Sequence, residues 1–171
     1  MLSNKKIMIF AEDNYEDLEL WYPKIRLIEE GANVVVAGTG NKAYKGKNGY
    51  PLEVDGSIRE YNAKDFDAVV VPGGWAPDKL RRYNEVLDFV REMHKRGKVI
   101  AAICHGPWVL ASAGIIKGRK LTCVAAIKDD VINAGAKYFD KEVVVDGNII
   151  TSRMPADLPA FLREIIKALG L

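Results

Sequence analysis

One cysteine, Cys104, stands at the end of a short apolar run and directly before His105, Gly106 and Pro107. The β-branched run 99–103 is typical of a strand that is covered on both faces. The glycine permits a tight turn, and proline is tolerated at a first helical position. A strand that turns into a helix at a cysteine is the pattern of a nucleophile elbow. The helix N-terminus would stabilise the thiolate, which is the nucleophilic form of the side chain.

A cysteine at the end of a buried strand can also be a packing residue, because cysteine is among the most buried residue types. The His-Gly-Pro sequence at a helix start favours the catalytic interpretation of Cys104. Cys123 lacks that context and is predicted to be a core thiol. Two cysteines among 171 residues make no disulfide framework, so both are expected to be reduced.

Attack of a thiolate on a carbonyl creates an oxyanion, which needs fixed hydrogen-bond donors. The backbone N–H groups of Gly74 and His105 are predicted to supply them, although the segment 72–74 on its own fits a simple turn equally well. For proton transfer the chain offers two imidazoles, and His105 is preferred to His94 because it adjoins the nucleophile. Neighbouring side chains diverge, so a Cys-His dyad and a relay or donor role both stay open.

The elements that must position these residues follow from the hydrophobic pattern. Strand-like runs alternate with helical segments and predict an α/β fold, a doubly wound, mostly parallel sheet sandwiched by helices. A late β-hairpin is expected around Asp146 and Gly147. In such a sheet, ligands bind outside the carboxyl ends of the strands. The loops 12–17, 72–74 and 104–107 are therefore expected to converge on one edge.

Three helices are predicted with defined inward faces. The first, after the loop 12–17, should bury Leu18, Trp21, Ile25 and Ile28, and Pro23 should kink it or open a new segment. The next should bury Val86, Phe89, Val90 and Met93, and the last, over residues 156–169, should bury Leu158, Phe161, Leu162, Ile165, Ile166 and Leu169. A further strand is expected over residues 120–124 and a short helix over 130–134.

Composition limits the classes of protein that fit. With 49% hydrophobic and 28% charged residues, the chain fits one globular domain over residues 1–171. A net charge of +2 with interleaved signs predicts neither a nucleic-acid nor a membrane partner. No leader or membrane-length run is recognised, so a cytoplasmic protein is expected. The absence of zinc-finger spacing, a Walker A loop and a G-x-G-x-x-G motif predicts no metal and no cofactor.

Several motifs along nearly the whole chain resemble the PfpI family, which belongs to the class I glutamine amidotransferase-like superfamily with its flavodoxin-like sheet. They are the segments 11–17, 71–77, 102–107, 127–135, 144–148, 151–153 and 155–158. The family includes intracellular proteases, protein deglycases and glyoxalases. These motifs identify the family but separate its activities poorly.

The resemblance implies roles for five residues. Cys104 is the nucleophile, His105 is its imidazole neighbour, and Gly74 and His105 donate to the oxyanion. Glu16 is the carboxyl group that hydrogen-bonds the thiol, although on local grounds it also fits a helix N-terminus. Asp78, from a neighbouring subunit, matches the acidic residue of a Cys-His-Glu triad. The implied assembly is a homo-oligomer, a dimer or a hexamer.

Two departures from the protease-like relatives count against efficient peptide hydrolysis. Asp78 is one methylene shorter than the glutamate of the triad, and the segment 124–126 replaces a Tyr-Pro-Gly segment. The expected function is therefore a cofactor-independent cysteine hydrolase or lyase, a peptidase or a deglycase or glyoxalase. Its substrate would be a peptide, a glycated protein or a small dicarbonyl. The alternatives are a stress-response chaperone or redox sensor that uses an oxidisable Cys104, and a binding scaffold with an inert thiol.

Overall fold

A computed structural model describes residues 1–170 and contains a seven-stranded sheet between layers of helices. The strand order is β10-β11-β7-β6-β1-β2-β5, and every neighbouring pair is parallel except β10 and β11. The predicted doubly wound sheet is confirmed. The seven strands are β1 (Lys6–Phe10), β2 (Asn33–Gly38), β5 (Gly56–Ser57), β6 (Ala68–Val71), β7 (Val99–Ile103), β10 (Val144–Asp146) and β11 (Ile149–Ser152).

The centre of the sheet is apolar on both faces. Strands β6 and β7 are buried along their whole length, because helices cover the sheet on either side. Residues Val70 and Ala101 are in register across these two strands, and Ile9 pairs with Val70 on the other side. The three neighbouring strands β1, β6 and β7 therefore end at one common edge.

Residues 1–170 contain six helices, and two of them bury the predicted faces. Val86, Phe89, Val90 and Met93 are buried on α3, as are five of the six residues predicted for α6; Ile166 is only partly buried. The helices are α1 (Asp17–Glu29), α2 (Ala76–Leu80), α3 (Asn84–Lys95), α4 (Pro107–Ala113), α5 (Lys128–Asn133) and α6 (Leu158–Gly170).

The small β-structures differ in how well the pattern predicts them. The late hairpin of β10 and β11 is confirmed, with Gly147 at a φ of 58° in the turn. The strand expected over 120–124 is only partly present, because β8 (Lys120–Leu121) lies outside the main sheet and pairs with β9 (Lys137–Tyr138). Within the turn-rich region, β3 (Ala43–Lys45) and β4 (Pro51–Glu53) form a separate antiparallel pair.

The predicted inward face of α1 is wrong for three of its four residues, and the fourth, Trp21, is partly buried against the core. Leu18, Ile25 and Ile28 are 57%, 61% and 50% exposed, whereas Leu20 and Leu27 are fully buried together with Glu19. The helix carries two apolar stripes on opposite sides, and periodicity cannot choose between them. Pro23 lies on the buried stripe inside one continuous helix and opens no new segment. Within residues 1–170, no helix is long and apolar enough to cross a membrane.

Candidate active site

Three loops meet at the carboxyl ends of β1, β6 and β7, as predicted. Tyr15 and Gly74 form an isolated antiparallel bridge, and the amide of Glu16 donates to the Gly73 carbonyl at 3.1 Å. The amide of Trp75 donates to the Asn14 carbonyl at 2.8 Å. These backbone bonds join the first loop to the glycine loop, which in turn lies against the elbow after β7.

Cys104 occupies a strained turn. Its φ of 62° lies in the left-handed region, which is uncommon for a residue with a Cβ and typical of a nucleophile elbow. Its amide donates to the Ser152 carbonyl at 3.0 Å, and its carbonyl accepts from the Val124 amide at 3.1 Å. A Cβ on Gly106 would lie 2.6 Å from the Val71 carbonyl oxygen, so the turn requires glycine there. The surrounding bonds and contacts thus hold the strained conformation.

The glycines at 73 and 74 permit the close approach of the backbone to the thiol. A Cβ on Gly73 would lie 2.7 Å from the Cβ of Cys104 and 2.4 Å from Oε2 of Glu19. Gly74 has a φ of 77°, and a Cβ there would lie 2.4 Å from the amide nitrogen of Glu16. The simple-turn interpretation is therefore insufficient, because both positions exclude side chains at the site.

The carboxyl group beside the thiol belongs to Glu19, which the sequence analysis did not single out. Its side chain is fully buried, and its Oε2 accepts from the Gly73 amide at 2.8 Å, beside Cys104. Burial, reinforced by the charge of Glu16, raises the pKa of Glu19 to about 8. The group is therefore largely protonated at neutral pH. Its Oε1 is buried with no hydrogen-bond partner.

Glu16 has a different role from the one that the resemblance implied. It is the N-cap of α1, and its Oε2 accepts from the Glu19 amide at 3.0 Å. The structural alternative, a carboxylate at a helix N-terminus, is the role that the structure shows. The contact with the thiol belongs to Glu19, one turn further on. In the sequence, Glu19 lies between the two apolar stripes of α1. Its position near the thiol could be inferred only after the structure showed which stripe is buried.

The thiol of Cys104 is less activated than its position before a helix suggested. Burial, followed by the negative charge of Glu19, raises the pKa of Cys104 to about 12. Hydrogen bonds from the amides of Gly74 and His105 act in the opposite direction, as does the charge of Lys47. Desolvation outweighs these effects on the pKa of Cys104. The thiol is protonated at neutral pH and needs a base when it reacts.

His105 is placed to be that base. Its Nδ1 lies 3.4 Å from Sγ of Cys104, so the neighbouring side chains do meet despite their adjacency. Burial, with a smaller effect of Lys47, lowers the pKa of His105 and favours the neutral ring. Its ring packs against the indoles of Trp75 and Trp108, at centroid distances of 5.3 and 5.1 Å.

The remaining predicted residues lie apart from the thiol. Asp78 is on α2, and its carboxylate forms an ion pair with Arg82 at 2.5 Å. Its action from a neighbouring subunit remains a prediction. Cys123 is confirmed as a fully buried core residue. His94 contacts Asn148, which precedes β11 at the opposite edge of the sheet. Within residues 1–170, no group of three or more metal-ligating side chains is placed to hold an ion.

The fold and the elbow define a class of protein. A cysteine on a strained turn at the carboxyl edge of a doubly wound sheet, facing glycine amides, is the arrangement of class I glutamine amidotransferase-like proteins. The chain belongs to the DJ-1/PfpI family, whose sequence profile matches residues 5–168.

Two proteins named as deglycases match this chain over nearly its full length. The deglycase PfpI of Pyrococcus furiosus is 47% identical over 164 residues, which are 96% of this chain and 99% of the relative. The protein/nucleic acid deglycase 2 of Escherichia coli is 45% identical over 170 residues, 98% of this chain and 99% of the relative.

Solved structures show the same fold. A two-domain protein of Anabaena variabilis with DJ-1/ThiJ/PfpI-like and ferritin-like domains is 46% identical, with a TM-score of 0.96 over 98% of this chain. This chain spans 48% of that protein. DJ-1beta of Drosophila melanogaster is 34% identical, with a TM-score of 0.91, over 96% of this chain and 90% of its own.

Proposed function

We propose that this protein is a cysteine-dependent deglycase that acts on dicarbonyl adducts of amino, guanidino or thiol groups. The observation that carries the proposal is the placement of Cys104 between a neutral imidazole, His105, and a largely protonated buried carboxyl, Glu19. Conversion of an adduct to a hydroxy acid requires a nucleophile and a group that both accepts and donates a proton. The names of the relatives at 45–48% identity support the same assignment.

The first step exchanges the adduct onto the enzyme. The substrate carries the group X–CH(OH)–CO–R, in which X is the nitrogen or sulfur of the modified side chain. Sγ of Cys104 bonds to the carbinol carbon as its proton passes to Nδ1 of His105. The bond to X breaks, and X leaves with that proton. The enzyme then holds the hemithioacetal S–CH(OH)–CO–R, and the side chain is restored.

The second step is an internal redox rearrangement. In the fraction of molecules in which Glu19 is ionised, its carboxylate removes the proton from the carbinol carbon. The hydroxyl proton passes to the neighbouring carbonyl oxygen, and the Glu19 carboxyl returns its proton to the neighbouring carbon, which regenerates the carboxylate. The hemithioacetal thus becomes the thioester S–CO–CH(OH)–R. A pKa of about 8 suits a group that must both accept and donate near neutral pH. The amides of Gly74 and His105 stabilise the negative oxygen. Water then hydrolyses the thioester and releases the hydroxy acid and the thiol.

The test follows both products from the methylglyoxal adduct of N-acetyl-arginine. We expect one lactate for each arginine group restored, at an initial rate above the separately measured spontaneous release of methylglyoxal. Cys104→Ser should reduce lactate formation to background. If lactate never forms faster than methylglyoxal is released spontaneously from the adduct, the protein is instead a glyoxalase that acts on free methylglyoxal.

Two other functions have weaker support. A peptidase triad would need Asp78, whose carboxylate is engaged by Arg82 within the chain. A peroxide sensor would need a thiolate, which a pKa of about 12 disfavours in Cys104.

We also propose that the protein forms a homo-oligomer through the outward stripe of α1, defined here as the exposed Leu18, Ile25 and Ile28 together with the partly buried Trp21. Leu18, Trp21 and Ile25 border a groove of about 550 Å³ together with Tyr50 and Pro51. A monomer rarely leaves such a continuous apolar surface in water. A second copy of the same stripe is the proposed occupant, because two antiparallel copies would cover both faces at once.

A further inference from the structure

An exposed indole stands beside the reacting atoms. Trp75 is 59% exposed, although it precedes α2 and is anchored by its backbone bond to Asn14. Its ring packs against His105, whose Nδ1 lies 3.4 Å from Sγ of Cys104. A group stacked on Trp75 would therefore lie within one side-chain length of the sulfur.

The second indole at the site shows what such a surface binds. The guanidinium of Arg81 lies over the ring of Trp108 at 5.2 Å, and its Nε donates to Ser112 at 2.8 Å. The indole nitrogen of Trp108 donates to Asp130 at 2.8 Å, which fixes the ring. Trp108 is thus occupied by a guanidinium of the chain itself, whereas the face of Trp75 is open to solvent.

We propose that the exposed face of Trp75 is a specificity-determining subsite for the guanidinium-derived group of arginine adducts. The proposal rests on the proposed deglycase function. An indole attracts a cation over its face, and a planar guanidinium also stacks on it. The adduct of a cysteine is neutral, and the nitrogen of a lysine adduct is tetrahedral, so neither presents a planar cation to the indole. The enzyme should therefore favour arginine adducts over both.

The effect belongs to binding and not to the chemical step. Loss of a stacking contact that is equally strong in the ground state and the transition state raises KM and leaves kcat unchanged. The range of cation–π energies corresponds to a change of about 3- to 30-fold. A role of Trp75 in orienting His105 would instead lower kcat for every substrate.

The experiment compares the full-length wild type with Trp75→Ala and Trp75→Phe on methylglyoxal adducts of N-acetyl-arginine, N-acetyl-lysine and N-acetyl-cysteine. Trp75→Ala should raise KM for the arginine adduct about 3- to 30-fold and change the cysteine adduct less than about 2-fold. Trp75→Phe should recover most of the loss. Phe139→Ala is the control, because Phe139 is an exposed ring elsewhere that also carries a cation, Lys141.

Three results would overturn the proposal: equal losses on all three adducts, no loss on any, or a wild type that prefers the cysteine adduct. A separate measurement isolates the subsite from the chemistry. N-acetyl-arginine amide should bind the Cys104→Ser protein in an NMR titration and bind the Cys104→Ser/Trp75→Ala protein about 3- to 30-fold more weakly. Equal binding to both proteins contradicts the subsite. A wild type without turnover that still shows this binding difference would reject the deglycase function alone.

Discussion

The buried pair of Cys104 and Glu19 is the chemical centre of the molecule. Burial, followed by the negative charge of Glu19, raises the pKa of Cys104 to about 12, and burial raises the pKa of Glu19 to about 8. Two ionised groups are disfavoured in this environment, so the resting site holds its protons. Reaction then depends on moving those protons through His105 and Glu19.

Removal of the carboxyl charge should make the thiol more acidic. In Glu19→Gln, the loss of the nearby negative charge should lower the pKa of Cys104 from about 12. The rate of alkylation by iodoacetamide, measured against pH, should show its midpoint moving to lower pH. The same measurement on Cys104→Ser controls for other groups. A midpoint that stays in place or moves upward would show that Glu19 does not act on the sulfur.

The same substitution should change the pH dependence of stability. The pKa of Glu19 is raised from the model-compound value of 4.5 to about 8, so the unfolded chain loses its proton before the folded chain does. Folding is therefore penalised increasingly from about pH 4.5 to about pH 8, by roughly a few kcal/mol. Glu19→Gln should stabilise the protein at pH 8 and have little effect at pH 4. Urea unfolding at several pH values measures this difference, and a constant difference would contradict it.

The sequence alone did not determine which glutamate lies beside the thiol. Cys104, His105 and Gly74 were found from their types and order, because an elbow and a glycine loop have local signatures. Glu16 and Glu19 are three residues apart in one acidic segment, and either could face the thiol. Only the rotation of α1 decides between them, and packing sets that rotation.

At the scale of elements, helix α1 connects stability with the site. Glu16 caps its first turn, and Glu19 in the same turn reaches the thiol. The buried stripe of Leu20, Pro23 and Leu27 holds the helix against the sheet and α6. The opposite stripe has the helical spacing expected of an inward face, but it faces outward.

Loss of the cap should cost stability while the thiol stays intact. Glu16→Ala removes the acceptor for the Glu19 amide and should lower the free energy of unfolding by about 0.5–2 kcal/mol. Glu16→Asp is the matched variant, since aspartate is a preferred N-cap residue and should retain most of that stability. Denaturant titration measures both. Equal stability of Glu16→Ala and wild type would remove the capping role.

At the scale of the whole molecule, the alternation of apolar strands and amphipathic helices was enough to predict the sheet and the edge at which the loops meet. The late hairpin followed from a two-residue turn containing Gly147. The sequence could not reveal that β8 and β9 pair outside the main sheet, because two-residue strands leave almost no periodic signal. Nor could it reveal which apolar stripe of α1 faces outward.

The outward stripe predicts the behaviour of the protein in solution. Ile25→Glu places a charge in the centre of the proposed interface and should shift the protein towards the monomer in light-scattering chromatography. Ile132→Glu is the control, because Ile132 is an exposed aliphatic residue on α5. A wild type that elutes as a monomer at all concentrations would remove both the interface and the proposed contribution of Asp78.

The most direct test of the site compares the substitutions Glu19→Gln and Glu16→Gln. Lactate formation from the methylglyoxal adduct of N-acetyl-arginine is measured for Glu19→Gln and Glu16→Gln, after thermal unfolding has shown that both are folded. We predict a loss of about 10²- to 10⁴-fold in Glu19→Gln, as expected for removal of a proton-transferring group, and a loss below about 10-fold in Glu16→Gln. Full activity of Glu19→Gln, or a loss confined to Glu16→Gln, would contradict the assignment of Glu19 as the carboxyl that serves Cys104.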